Sequence, residues 1–425
     1  MDEGYRKSTL PTGLTVITER MEHRRSVAFG VWSRTGARDE PAERLGITHF
    51  LEHMMFKGTE QRDARAIARS LESVGGHLDA FTGREQVCYY ARCLMEHLPI
   101  AVDVLADIVC RSRFAENELE REKSVVREEI FSCEDNPDDK VNDIHAEQMW
   151  GDHPLGRPIL GRVETVSAIT RSVLNDYFQR RYRPDHLVIA ATGAIEHEPV
   201  LELVNRHFAP PTGDPLPLSP PPLEFSASVR HEVRDDLQQL YLTLGTRGLS
   251  YTDAERYPLV TLNALLGGGM SSRLFQSVRE EAGLAYSVYS TVDFHRDGGL
   301  FGIQLGVAPD RGREALVRVR EELLKLVREG PAEDEVESAT GQLCGSVTMG
   351  QESVSNRMYH LAHEEIYRGG YTHPDEQIAK LRAVTAEQVR AVASRFLPPG
   401  KFALTALGPA AGAPLGENDW PVGPA

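Results

Sequence analysis

The sequence has no run of about eighteen uncharged apolar residues, which is roughly the shortest helix that can span a bilayer. Its amino terminus, MDEGYRKSTLPTGLTVITE, also lacks the basic patch and the apolar core of a secretory signal. We therefore expect a cytoplasmic protein that has no membrane partner.

Cysteine is scarce, and its five residues form an odd set without CxxC spacing. This usage favours reduced thiols over a disulfide framework or a thiolate zinc site. Any metal is therefore expected to be held by histidine and carboxylate. The cysteines are Cys88, Cys93, Cys110, Cys133 and Cys344.

Positive charge is also in short supply, with 47 Lys and Arg against 63 Asp and Glu and a formal net charge of −16. A surface of this sign repels phosphate backbones, and no compact run of basic residues offsets it locally. Nucleic acid is therefore not an expected partner.

The length of 425 residues exceeds what one hydrophobic core usually supports, so two domains are expected. A natural boundary is the proline-rich stretch APPTGDPLPLSPPPLE, because proline fixes the backbone and removes amide donors. This predicts an N-terminal domain over residues 1–208, a linker over 209–224 and a C-terminal domain over 225–425.

The two halves resemble each other. In the first, LNDYFQRRYRPDHLVIAATGAI places an amphipathic helix before an apolar strand that ends at Gly193. In the second, VRAVASRFLPPGKFALTALGPA repeats this order and ends at Gly408. Because strands and helices are mixed within each half, we predict an α+β fold with two related domains, each a largely antiparallel sheet flanked by helices.

The segment PAERLGITHFLEHMMFKGT has apolar residues at helical spacing and is predicted to form a partly buried helix that stops near Gly58. Within it, HFLEH places His49 and His53 one turn apart on one face, with Glu52 beside the second. This arrangement can hold a metal ion. The alternative is a helix with two surface histidines.

A third ligand is expected because catalytic zinc held by two histidines normally takes one further protein ligand. The glutamate-rich stretch FAENELEREKSVVREEIFSCEDNPDD is strongly helical. In it Glu122 and Glu129 share a face, and Glu128 points about 100° away. The spacing alone does not choose between Glu128 and Glu129, and a solvated acidic helix is the alternative.

Three segments together resemble a known family: HFLEHMMFKGT, EREKSVVREEI and, in the second half, GGGMSSRLFQSVREEAGLAYSVYS. They are similar to the inverted zincins of the pitrilysin and insulinase group, in which HxxEH reverses the commoner HExxH order. The similarity is strongest to the mitochondrial processing peptidase-like bacterial branch. It implies the processing peptidase and LuxS-like metallohydrolase fold and a Zn²⁺ cofactor.

The resemblance also assigns roles to residues of the first half. It implies zinc binding by His49, His53 and Glu129, which lies 76 residues beyond His53. Glu122 corresponds to a second carboxylate that supports the site, and Glu52 to the base that activates zinc-bound water. The implied function is that of a zinc-dependent endopeptidase, which hydrolyses short unfolded peptides in an enclosed chamber.

The second half has no counterpart of HFLEH. It offers Arg279 and Tyr286, which match an Arg and Tyr pair that the family uses near the scissile bond. A guanidinium and a phenol are suitable donors to a substrate carbonyl or developing oxyanion. The alternative places Arg279 in a surface ion pair and Tyr286 in the core.

Substrate is expected along GGHLDAFTGREQVCYYAR, whose alternating pattern predicts an edge or near-edge strand. The family binds peptide here as an added strand, which implicates Asp79, Ala80 and Phe81. Asp79 stands where the family commonly has Asn, so an amide donor is replaced by a charge.

Assembly is also implied by the resemblance. Family members with four such domains in one chain close around a chamber, whereas this chain supplies two, so we expect a homodimer, with a heterodimer as the alternative. The alternative function is a noncatalytic peptide-binding or structural subunit. Such relatives have usually lost the metal ligands, which are all present in this chain.

Overall fold

The computed structural model describes residues 4–216 and 221–422, and the strands of this part of the chain form two sheets. The strands of the first sheet are β1 (Tyr5–Thr9), β2 (Thr15–Arg20), β3 (Ser26–Ser33), β4 (His77–Thr82), β5 (Val87–Leu94) and β6 (Leu187–Gly193). Their order is β1-β2-β6-β3-β5-β4, and β2 and β6 are the parallel neighbours in an otherwise antiparallel sheet.

The second sheet repeats this plan with one strand fewer. Its strands are β7 (Val229–Val233), β8 (Leu240–Gly248), β9 (Ala285–Phe294), β10 (Gly299–Val307) and β11 (Ala403–Gly408). Their order is β7-β11-β8-β10-β9, and β7 and β11 are the parallel neighbours.

Helices flank both sheets. They are α1 (Ile47–Met55), α2 (Ala64–Glu72), α3 (Leu98–Arg111), α4 (Glu116–Asp135), α5 (Pro137–Trp150), α6 (Val163–Ser167), α7 (Arg171–Arg181), α8 (His197–His207), α9 (Arg256–Gly267), α10 (Gly312–Glu329), α11 (Glu333–Gly350), α12 (Val354–Arg368), α13 (Pro374–Arg382) and α14 (Ala386–Phe396). The predicted repeat appears as α7 followed by β6 and as α14 followed by β11, which confirms the α+β fold with two related domains.

Each sheet has one face against a large apolar core. In the first unit the core side chains of α1, including Phe50 and Met54, pack with those of β3 and α3. The equivalent core in the second unit joins α9, α10 and α14 to their sheet, with Phe301 and Leu404 fully buried.

The compact units do not follow the predicted sequence boundaries at every point. The first unit comprises Met1–Ser132, Arg157–Pro220 and Met349–His373, and the second comprises the remaining segments. The first unit therefore includes α12 from the second half of the chain, and the second unit includes α5 from the first. Of the predicted linker, residues 217–220 lie outside the described residues, and 209–216 and 221–224 form no helix or strand.

The second face of each sheet explains this exchange of segments. Strand β6 is buried along its whole length, so the first sheet needs apolar cover on both faces. Helix α12 supplies that cover, because Met358 and Leu361 pack against Trp32 and Val188. In the second unit α5 does the same, with Val141 and Ile144 packing against the buried Leu407 of β11.

Removing the cover on the first sheet is expected to destabilise the protein. Met358→Ala, at a fully buried position of α12, is expected to lower the free energy of unfolding by about 2–5 kcal/mol because it leaves a cavity. Urea titration measures the change. Met349→Ala is the matched control, since Met349 is 68% exposed and its truncation should change the free energy by less than about 0.5 kcal/mol. Equal effects of the two substitutions would contradict this assignment of α12.

Candidate metal centre

The helix that carries the HFLEH motif is fixed at its start by a buried carboxylate. Gly46 precedes α1 with a φ of 85°, and Glu40 accepts the backbone N–H of Gly46 at 2.7 Å and that of Thr48 at 2.8 Å. Burial raises the pKa of Glu40 to about 8, although these hydrogen bonds oppose the rise. Two otherwise unpaired donors of the helix N-terminus are thereby satisfied, and the first turn of α1 is held in place.

The second helix of the site is α4, which presents carboxylates to α1. Leu119, Val126 and Ile130 bury one stripe of this helix, and Glu122 lies on the same stripe. Glu129 follows Glu122 by seven residues and so projects from nearly the same side of the helix.

The structure brings His49, His53 and Glu129 together. One potential ligand atom from each residue lies within 4.8 Å of the other two. Oε2 of Glu129 is 3.7 Å from Nε2 of His49 and 3.5 Å from Nε2 of His53. These distances are too long for good hydrogen bonds. They match the separation of roughly 3.4 Å expected for two atoms bound at about 2.0–2.1 Å to one tetrahedral zinc ion.

Helical spacing left Glu128 and Glu129 as alternatives, and the family resemblance implied Glu129. Among the described residues, the group that can hold a metal contains Glu129 and not Glu128. Glu129 is 43% exposed at its side chain, so the site opens to solvent on the side of this carboxylate.

The ring of His53 is oriented by Glu122. Nδ1 of His53 donates to Oε2 of Glu122 at 3.2 Å, which leaves the lone pair of Nε2 free for a metal. Lys57 in turn lies 2.8 Å from Oε1 of Glu122. Burial alone would raise the pKa of Glu122, but the hydrogen bonds from His53 and Lys57 outweigh it and lower the pKa. Glu122 is thus a buried carboxylate that stays ionised and supports a ligand.

Both histidines have altered basicity. Burial, with a smaller effect of His53, lowers the pKa of His49 to about 3, so His49 is neutral as a metal ligand must be. Burial also acts against the charged form of His53, but the hydrogen bond to Glu122 and the charge of Glu129 outweigh it and raise the pKa. A metal that binds His53 must displace the proton from Nε2. Two imidazoles and one carboxylate are a donor set that zinc takes in proteins.

Glu52 lies in the same site without joining the three ligands. Its Oε2 accepts a hydrogen bond from the hydroxyl of Thr82 at 2.5 Å. Burial raises the pKa of Glu52, and this hydrogen bond partly opposes the rise. A carboxylate with a raised pKa is suited to accept and return a proton near neutral pH.

The strand expected to bind substrate is β4, and it is an edge strand that pairs on one side with β5. Asp79 does not extend freely from this edge. Its Oδ1 accepts the backbone N–H of Ala80 at 2.8 Å, and its Oδ2 accepts the hydroxyl of Tyr90 at 3.2 Å. Phe81 packs edge-on against Tyr359 with the ring centroids 6.0 Å apart.

Arg279 and Tyr286 are neighbours in the second unit. The Arg279 guanidinium lies 4.8 Å from the ring centroid of Tyr286 and 4.6 Å from that of Phe275. Tyr286 is 81% exposed, which excludes the alternative that it belongs to the core. Arg279 also lies 3.7 Å from Glu280, so the surface ion pair considered for it is present.

Three residues of the site were not predicted from the sequence: Glu40, Lys57 and Thr82. Lys57 lies two residues beyond the end of α1 and pairs with Glu122 of α4. Glu40 and Thr82 reach the site through tertiary contacts, for which the sequence contains no local pattern.

Comparison with known protein families identifies relatives over most of the chain. The family model described as Insulinase (Peptidase family M16) matches residues 15–163, and the model described as Peptidase M16 inactive domain matches residues 168–343. An uncharacterized zinc protease of Streptomyces coelicolor is 40% identical over 411 residues, which cover 95% of this chain and 89% of the relative. The chain belongs to peptidase family M16.

Other relatives have the same extent. The uncharacterized zinc protease YmxG of Bacillus subtilis is 39% identical over 96% of this M16 chain and 99% of its own length. Among solved structures, a protease from Helicobacter pylori has a TM-score of 0.90 at 20% identity and covers 95% of this chain and 99% of its own.

A second solved structure, a peptidase M16 inactive domain from Pseudomonas fluorescens, has a TM-score of 0.89 at 22% identity, with 95% of this chain and 98% of that chain covered. At such low identity the two structures establish the fold alone. Within the described part of the M16 chain, none of the helices is long and apolar enough to cross a membrane.

Two adjacent glutamates test the ligand set directly. Glu129→Gln is expected to weaken zinc binding by about 100-fold or more, because it removes a ligand and even the loss of an outer partner costs about 10–100-fold. Glu128→Gln makes the same chemical change one residue away on α4 and should leave zinc binding unchanged. Zinc content after dialysis against a buffering chelator measures both. Equal zinc retention by the two variants would contradict the assignment.

Proposed function

We propose that the chain is a zinc-dependent endopeptidase that cleaves short unfolded peptides in an enclosed chamber. As a member of peptidase family M16, the chain is a metallopeptidase. Its metal is zinc, since its relatives are named zinc proteases. The observation that supports the catalytic assignment is the convergence of His49, His53 and Glu129 beside Glu52, whose carboxylate bonds to Thr82 and is not one of these three ligands.

The chemistry divides between the metal and the protein. When bound, zinc polarises the scissile carbonyl and lowers the pKa of water. Glu52 accepts the proton of the attacking water and delivers it to the leaving amine, so that one C–N bond is broken and one C–O bond is formed. Glu122 holds the ring of His53 in the orientation that keeps its Nε2 directed to the metal.

The edge strand β4 is proposed to receive the peptide as an additional strand. Backbone hydrogen bonds along an open edge bind extended chains with little demand on sequence, whereas folded proteins cannot offer such a strand. Asp79 restricts strand pairing at this edge, because its carboxylate already accepts a hydrogen bond from the N–H of Ala80. A peptide that pairs at this position must displace that contact.

Arg279 and Tyr286 are proposed to donate hydrogen bonds to the substrate carbonyl or to the developing oxyanion. The exposure of Tyr286 supports this role, because an exposed phenol restrained against a guanidinium is available to a ligand. We propose a homodimer in which each chain supplies this pair to the zinc site of its partner. A heterodimer with a related chain is the alternative.

Peptide cleavage is tested with an internally quenched unfolded peptide. The zinc-loaded protein is expected to cleave it, chelation should abolish cleavage, and added zinc should restore it. Glu52→Gln is expected to lower kcat by about 10²–10⁴-fold with zinc still bound, because it removes the proton acceptor. Glu128→Gln serves as the control. Peptide binding without cleavage by the zinc-loaded wild type would favour the noncatalytic subunit instead.

Donation across the dimer is tested by mixing two inactive chains. Glu52→Gln lacks the base, and the double variant Arg279→Met, Tyr286→Phe lacks the donor pair. When the two are coexpressed, half of randomly formed dimers contain one chain of each kind, and one of their two sites is complete. The mixture should therefore recover about a quarter of the wild-type rate. Activity equal to the sum of the separate variants would contradict donation between chains.

A further inference from the structure

The hydroxyl of Thr82 makes a contact that the ligand set does not require. Thr82 is the last residue of β4, and its Oγ1 donates to Oε2 of Glu52 at 2.5 Å. A hydrogen bond to an ionised carboxylate is short and stronger than one between neutral groups. The edge strand and the base are therefore joined by one direct bond.

This hydrogen bond distinguishes the two oxygens of Glu52. Within residues 4–216 and 221–422, no protein donor is found on Oε1, whereas Oε2 is held by Thr82. Oε1 is thus the oxygen that remains available to water. A carboxylate without this contact can rotate about its terminal bond, which is a soft torsion.

Thr82 is itself held by a rigid turn. Gly83 donates its N–H to the carbonyl of Gln86 at 2.8 Å, which closes the hairpin between β4 and β5. The turn is anchored from outside by the N–H of Arg38, which donates to the carbonyl of Arg84 at 2.8 Å, and by the fully buried Arg38–Glu85 ion pair. The hydroxyl therefore approaches Glu52 from a fixed position.

We propose that Thr82 is a positioning residue that holds Oε2 of Glu52, so that Oε1 accepts the proton from water and returns it to the leaving amine. The inference rests on the proposed function, because it needs Glu52 to act as the base. It adds that the strand that receives the peptide also orients the base. The edge that would pair with a peptide and the hydroxyl that orients the base therefore belong to the same strand, β4.

The test compares Thr82→Val, which keeps the shape and removes the hydroxyl, with Thr82→Ser, which keeps the hydroxyl. Thr82→Val is expected to lower kcat by about 10–100-fold, the range for loss of a hydrogen bond to a charged group. KM and zinc content should stay within about twofold, because neither the ligands nor the strand pairing change. Thr82→Ser should stay within about threefold of the wild-type kcat.

The matched control is Thr9→Val, which makes the same change at the last residue of the opposite edge strand, β1, and should leave kcat unchanged. An unchanged kcat for Thr82→Val, while Glu52→Gln is inactive, would overturn the positioning role. Equal loss in the Val and Ser variants, or loss of zinc or of fold in both, would reduce Thr82 to a structural role and overturn it as well. Failure of the zinc-loaded wild type to cleave peptide would instead refute the proposed function, and this inference with it.

Discussion

The site depends on an electrostatic constraint at the contact between α1 and α4. A carboxylate oxygen of Glu129 faces the ring nitrogens of His49 and His53 at distances near those of shared coordination. Acceptors gathered in this way repel one another unless a cation or protons lie between them. The buried Glu122, which pairs with the half-buried Lys57, holds the ring of His53 in the orientation that keeps its acceptor directed inward. A bound divalent ion satisfies all of these groups at once.

The scaffold explains why this arrangement is rigid. Helix α1 is capped by the buried carboxylate of Glu40 and packs its apolar side into the core of the first unit. The first sheet is covered on its other face by α12, so its strands cannot shift without exposing apolar surface. The open edge of that sheet, β4, ends beside Glu52. The proposed metal ligands, the proposed base and the open edge of the sheet are therefore all held by packed elements.

The sequence predicted the fold class and the core of the site because both have local patterns. HFLEH places two histidines on one helical face, and the spacing from Glu122 to Glu129 gives a second face on another helix. The choice between Glu128 and Glu129 needed either the family resemblance or the structure. Helical spacing alone does not show which face of α4 contacts α1. Other features arise only when segments far apart in the sequence meet. These are the places of α5 and α12 in the two units and the hydrogen bonds of Glu40 and Thr82. The spacing of residues within one helix or strand does not predict such contacts.

Coordination of zinc by His49, His53 and Glu129 is tested by X-ray absorption at the zinc edge of the wild-type protein. We expect a first shell of nitrogen and oxygen at about 2.0–2.2 Å, with the outer-shell scattering of two imidazoles and no sulfur. Metal that binds instead through one or more of the five cysteines would give a sulfur shell at about 2.3 Å. Such a shell, or a single imidazole, would contradict coordination by His49, His53 and Glu129.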